Sequence, residues 1–130
     1  MKKVFLLLAL AAGIGANAQS AKFAEAMQTN LKTFGEAKTT LELQTSSAAF
    51  ERIGDAEKTQ WLPYYYAALA KINIGWMDQS VDKDQNAEAV KKLISKAEAI
   101  EHNSELCVLR NMAATQQMLV DPQSRWQTYG

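Results

Sequence analysis

The chain has 130 residues, of which 14 are Lys or Arg, 14 are Asp or Glu and 48% are hydrophobic. This length fits one domain with a single hydrophobic core. The neutral charge balance argues against nucleic-acid binding and against adsorption to anionic lipid, because both need a basic surface.

The first eighteen residues have the pattern of a secretory signal peptide. Two lysines precede an apolar run over residues 4–12, and residues 16–18 form an A-x-A cleavage pattern. The run is too short to span a bilayer. We therefore predict a signal peptide over 1–18 and an exported mature domain over 19–130, periplasmic or secreted and without a stable membrane anchor.

The composition of the remaining chain favours an all-α fold. Strong helix formers predominate, proline and glycine are sparse, and no β-branched run alternates with period two. A first helix is predicted over 21–35, with an apolar stripe at steps of three and four. That stripe consists of Phe23, Met27, Leu31 and Phe34. A second helix is predicted over 37–57, with Phe50 and Ile53 on its buried face and a plausible break in its Thr- and Ser-rich first half.

The third helix is predicted over 60–78, with Thr59 as its cap. Its apolar stripe should face the core and consists of Trp61, Tyr65, Leu69, Ile72 and Trp76. The opposite face should be exposed. It carries the candidate partner-binding residues Tyr64, Ala67, Lys71 and Gly75.

A polar loop and three further helices complete the prediction. Asp82 or Asp84 caps a fourth helix that ends near residue 101, and Asn103 or Ser104 caps a fifth. The fifth helix should bury Leu106, Leu109, Met112, Ala113 and Leu119. Asp121-Pro122 then starts a helix over 123–129, which is too short to be stable unless it packs on something.

Groups capable of catalysis or metal binding are few and scattered. Cys107 is the only cysteine, so no internal disulfide can form, and we expect it to be a buried apolar residue. His102 is the only histidine and is predicted to lie in a turn. The acidic run over 82–88 lacks the glycine and the closing glutamate of a calcium loop. We predict no enzyme activity, no cofactor and no metal.

Two stretches repeat the same spacing of apolar residues. The first stretch contains Phe50-x-x-Ile53 and, after a turn, Trp61-x-x-Tyr64. The second contains Ile94-x-x-Ala97 and, after a turn, Glu105-x-x-Val108, each 44 residues later. Together with the small pair Ala67-Ala68 and the turn over 101–105, this pattern resembles the tetratricopeptide repeat family. The blocks W-L-P-Y-Y-Y-A and D-P-x-x-R-x-x-x-Y-G are similar to small exported members from Gram-negative bacteria. In those proteins a further helix pair usually follows, so the resemblance implies one of two alternatives, a short form or the loss of a later segment.

The resemblance implies antiparallel helix hairpins stacked as a short solenoid, with a concave groove for a protein or peptide. The groove face would be the one bearing Tyr64, Ala67, Lys71 and Gly75. Two alternatives remain open. The first is a structural role with self-association through the C-terminal end, and the second is a small-ligand carrier with a pocket around Trp61, Tyr65 and Trp76.

Overall fold

A computed structural model describes residues 20–130 of the chain. Within that range the chain is all-α, with 81% of residues in six helices and no strand. α1 covers 20–36. The other helices are α2 (Thr40–Glu57), α3 (Leu62–Met77), α4 (Lys83–Glu98), α5 (Ser104–Met118) and α6 (Pro122–Tyr129). The predicted signal peptide lies outside the described residues. None of the described helices is long and apolar enough to cross a membrane.

Local side-chain caps start four of these helices. Thr39 and Glu42 form a reciprocal capping box at the start of α2. Asp82, Asn103 and Asp121 each accept a hydrogen bond from a backbone N–H in the first turn of α4, α5 and α6. These caps satisfy donors that a helix start leaves unpaired, so the helix boundaries follow from neighbouring residues.

The core lies between successive helices, with α3 in the middle. α3 packs against α2 on one side and against α4 and α5 on the other. The short connections between these helices reverse the chain direction, so neighbours in the sequence pack as antiparallel pairs. The largest fully buried apolar side chains form the centre of the core. They are Phe50, Ile72, Ile94, Leu106, Leu109 and Val90.

An aromatic cluster joins the first three helices. Phe50 of α2 stacks on Tyr66 of α3 with ring centroids 5.4 Å apart. Phe34 of α1 meets both rings edge-on at 6.1 Å. The predicted stripe of α1 is confirmed, because Met27 is buried in the core and its other members pack against it.

Several predictions about the fold are wrong in detail. α2 begins at Thr40 and is unbroken, because its capping box stabilises the Thr- and Ser-rich first half. The third helix begins at Leu62 and not at residue 60. Its N-cap residue is Trp61 and not the predicted Thr59, and Trp61 makes no side-chain capping hydrogen bond. Cys107 is exposed, not buried. Leu119 is 51% exposed, because it is the C-cap residue just beyond the end of α5 at Met118.

Candidate functional site

The face of α3 predicted to be an exposed groove is mostly buried. Tyr64 is only 6% exposed, Ala67 is fully buried, and Gly75 is also buried, whereas Lys71 is half-buried. The predicted exposure is therefore wrong for three of the four candidate partner-binding residues. The physical reason is that α3 is central and has helices packed on both sides, so an apolar stripe on one side does not leave the other side free.

Close backbone contacts explain why this face carries a glycine. The Gln116 amide of α5 lies against Gly75, where a Cβ atom would overlap it, and Gln116 Nε2 donates to the Ile72 carbonyl at 2.8 Å. α3 and α5 therefore approach each other closely at this point. The absence of a side chain at position 75 allows this close approach, and Gly75 is buried.

Tyr64 belongs to a charged cluster at the edge of the core. Its hydroxyl donates to Asp55 Oδ1 at 2.7 Å, and Lys96 Nζ donates to Asp55 Oδ1 at 3.0 Å and to Glu51 Oε1 at 2.9 Å. Burial, and then the bond to Asp55, raises the pKa of Tyr64 to about 12. The bond from Tyr64, with help from Lys96, lowers the pKa of Asp55. The cluster ties α2, α3 and α4 together and offers no reactive group.

The aromatic residues predicted to line one ligand pocket do not come together. Trp61 and Tyr65 meet edge-on with centroids 5.8 Å apart. Trp76 lies at the other end of α3, roughly 16 Å further along the helix axis than Tyr65. It is 43% exposed and not in the core as predicted. Trp76 instead lines two separate surface cavities near the C-terminal end of α3.

The first of these, the apolar cavity, has a volume of about 540 Å³. It lies between the end of α1, the first turns of α2 and the end of α3. Its lining residues are Phe34, Gly35, Ala37, Leu43, Asn73, Trp76 and Met77. Met77 is 50% exposed, so two large apolar side chains, Trp76 and Met77, stand partly in solvent beside an apolar concavity.

The second, the polar cavity, has a volume of about 730 Å³. It lies between the C-terminal ends of α3 and α5 and the start of α4. Its lining residues are Gly75, Trp76, Gln79, Ser80, Val81, Asp82, Lys83, Asp84, Gln116, Leu119 and Val120. The sequence prediction for a site missed all of these except Gly75 and Trp76, because they come from three separate stretches of the chain.

Charged side chains order the walls of the polar cavity. Lys83 Nζ donates to the Gly75 and Asp78 carbonyl oxygens at 2.5 and 2.7 Å, so it caps the C-terminal end of α3. Asp84 accepts two bonds from Arg125 of α6, at 2.7 and 2.9 Å. This pairing lowers the pKa of Asp84 and attaches the short helix α6 to α4.

Within the described residues, no three or more His, Cys, Asp or Glu side chains are grouped so as to hold a metal ion. His102 is exposed in the turn between α4 and α5, and Cys107 is exposed on α5. The two cavities offer indole, thioether, amide, ammonium and carboxylate groups. Such a set is suited to binding a ligand by shape, stacking and hydrogen bonding.

The chain is similar to the solved HusA haemophore from Porphyromonas gingivalis. The two share 37% sequence identity with a TM-score of 0.74, over 83% of this chain and 53% of the haemophore chain. The chain therefore spans about half the length of that relative. No protein-family model matches the chain, and no curated protein matches it either.

Proposed function

We propose that this chain is a non-enzymatic carrier of haem or a closely related flat, largely apolar ligand. The observation that carries the proposal is its similarity to a haemophore, at 37% identity over 83% of the chain. A haemophore is a binding protein, so the proposal is for a carrier and not an enzyme. It agrees with the small-ligand alternative from the sequence, although the pocket is at a different place on α3.

The apolar cavity supports the proposal by its size and lining. About 540 Å³ lies within the range of roughly 300–1,000 Å³ that is typical of small-molecule pockets. Phe34 and Trp76 supply flat aromatic surfaces, and Leu43 supplies an apolar wall. A flat tetrapyrrole would cover the partly exposed side chains of Trp76 and Met77, and removal of their surface from water would provide the binding free energy.

The same cavity has one group suited to contact with a haem iron. Met77 carries a thioether, and methionine is among the protein ligands of haem iron. If Met77 ligates the iron, an iron-free ring should bind more weakly than haemin, whereas stacking on Trp76 alone should hold both rings equally. Comparison of haemin with protoporphyrin, which lacks iron, therefore separates the two contributions.

Export and repeat architecture remain part of the proposal. The basic start, apolar run and A-x-A pattern over residues 1–18 support export, since a carrier that scavenges a ligand acts outside the cytoplasm. The packing of antiparallel helix pairs supports a tetratricopeptide-like arrangement. The predicted peptide groove has less support, because Tyr64, Ala67 and Gly75 are buried.

The proposal is tested by titration of the purified chain with haemin, followed by Soret absorbance and tryptophan fluorescence. We expect a saturable change, and Trp76→Ala should weaken binding about tenfold through the loss of one aromatic anchor. The matched control is Trp126→Ala, because Trp126 is 64% exposed on α6 and does not line the apolar cavity. An unsaturable titration, or equal weakening by both variants, would contradict the proposal.

A further inference from the structure

We propose that α6 and the turn before it bind the same surface of a second copy of this chain. This α6 surface consists of Leu119, Val120, Gln123, Trp126 and Gln127. The inference goes beyond the haem proposal and develops the self-association that the sequence left open. It concerns a different part of the molecule, because none of these residues lines the apolar cavity.

The α6 surface concentrates exposed apolar side chains. Among the described residues, seven large apolar side chains are exposed, and three of them belong to this surface. Leu119 is 51%, Val120 49% and Trp126 64% exposed, and no residue of α6 is buried. Removal of such apolar surface from water favours association with a partner.

Trp126 is presented in a fixed position. Arg125 holds α6 on α4 through two hydrogen bonds to Asp84. A Cβ atom added at Gly130 would lie 2.5 Å from Trp126 Cε3, so the indole lies against the backbone at the end of α6. A ring held in this way loses little conformational freedom when a partner covers it. Trp126 is therefore suited to be the central anchor of an interface.

The charge pattern of α6 favours a second copy as the partner. Within Pro122–Tyr129 the only charged residue is Arg125, and it is paired with Asp84. In a two-fold contact the same patch meets itself, so an unpaired charge on the patch would approach its own like charge and repel the second copy. A partner that recognises charge would find no free charge on α6 to bind.

The polar side chains of the α6 surface can pair with their own copies. Gln123 and Gln127 are exposed, and each side-chain amide has both donors and an acceptor. The glutamines of one copy can therefore hydrogen-bond to those of the other. A two-fold axis across α6 also places the two helices antiparallel, so that the positive end of one dipole lies beside the negative end of the other.

Sedimentation velocity of the processed chain, without haemin, measures this association. We expect a weak dimer with a Kd on the order of 100 μM, because the surface is small, and the titration covers about 10 μM to about 1 mM. Trp126→Ala should weaken the dimer about tenfold or more. The matched control is Leu41→Ala, because Leu41 is 72% exposed on α2 and lies outside the α6 surface. A monomer at the highest concentration, or equal weakening by both variants, overturns the inference.

A pair of charge variants tests whether the occupant is a second copy bound by the same surface. Gln127→Lys and Gln127→Glu each bring like charges together in a two-fold dimer, so each alone should weaken self-association about fivefold or more. An equimolar mixture of the two should associate at least as well as the wild type, because the introduced charges are then opposite. A mixture that associates no better than either variant alone overturns the inference. Haemin is absent throughout, so the outcome is independent of the haem proposal.

Discussion

At the scale of single residues, the ring of Tyr64 leaves no room for a side chain at position 54, which is a glycine. A Cβ atom at position 54 would lie 2.7 Å from Tyr64 Cε1 and 2.8 Å from Cζ, and this ring is held in place by burial and by its bond to Asp55. We expect Gly54→Ala to destabilise the protein by about 1–3 kcal/mol through overpacking, measured by urea denaturation.

The matched control is Gly35→Ala, because a Cβ atom at position 35 meets nothing within 4 Å. Both glycines are helical, so both variants gain the same helix propensity from alanine. Gly35→Ala should therefore stabilise the chain by about 0.5–1 kcal/mol. Equal stability of the two variants would show that the Tyr64 ring moves aside freely.

The hydroxyl of Tyr64 makes the stability depend on alkaline pH. Folding raises its pKa from the ordinary 10.0 to about 12, so the stabilisation is complete below pH 10 and is lost as the pH rises toward 12. Tyr64→Phe should cost about 1 kcal/mol near neutral pH through loss of the hydrogen bond. It should also reduce the alkaline loss of stability, as measured by thermal unfolding across this range.

Asp55→Asn provides a second test of the same cluster. It removes the negative charge that, after burial, contributes most to the raised pKa of Tyr64. The folded pKa of Tyr64 should therefore lie closer to the ordinary value, so the alkaline loss of stability should become smaller and should be complete at a lower pH. An unchanged profile in both variants would mean that another group causes it.

At the scale of elements, α6 depends on one ion pair for its attachment. None of its residues is buried, and Arg125 joins it to α4 through Asp84 and to α5 through the Gln117 carbonyl, which accepts from Arg125 Nη1 at 3.0 Å. A two-turn helix is unstable alone. We therefore expect Arg125→Gln to raise the amide hydrogen exchange of α6 and to leave that of α3 unchanged.

Acid should detach the same helix. The pKa of Asp84 is lowered in the folded chain, mainly by the bond from Arg125, so the pair contributes stability above the ordinary carboxyl pKa and loses it as the pH falls through the lowered value. The protection factor of the α6 amides, which corrects for the intrinsic pH dependence of exchange, should fall over that range in the wild type and be nearly independent of pH in Arg125→Gln. High exchange in the wild type at neutral pH would refute the attachment.

At the scale of the whole molecule, α1, α2 and α3 share one aromatic centre. Phe50 has no exposed surface and contacts both Phe34 and Tyr66. Phe50→Ala should cost about 3–5 kcal/mol and lower the midpoint of unfolding for the entire chain. Circular dichroism during urea denaturation measures this. Trp126→Ala, at an exposed position, should change stability by no more than about 0.5 kcal/mol, and a similar cost for both variants would argue against a single core.

Much of the helical architecture could be predicted from the sequence, because its causes are local. Asp82, Asn103 and Asp121 cap helices whose first turns are within three residues of them. The α1 stripe depends only on a spacing of three and four. Such patterns determine that a segment is helical and, for α4, α5 and α6, the region in which it starts. They also favoured the all-α class, which the structure confirms.

The exposed face of α3 was decided only by tertiary structure. Periodicity places Tyr64 and Tyr65 on different sides of the helix, but it does not say which side a neighbouring helix covers. Asp55 of α2 accepts the Tyr64 hydroxyl, and Gln116 of α5 lies on Gly75, so the face that carries Tyr64 and Gly75 is covered near both ends of α3. The two cavities also lay beyond sequence reasoning, because each is formed by helix ends that are distant along the chain and meet only when the helices pack.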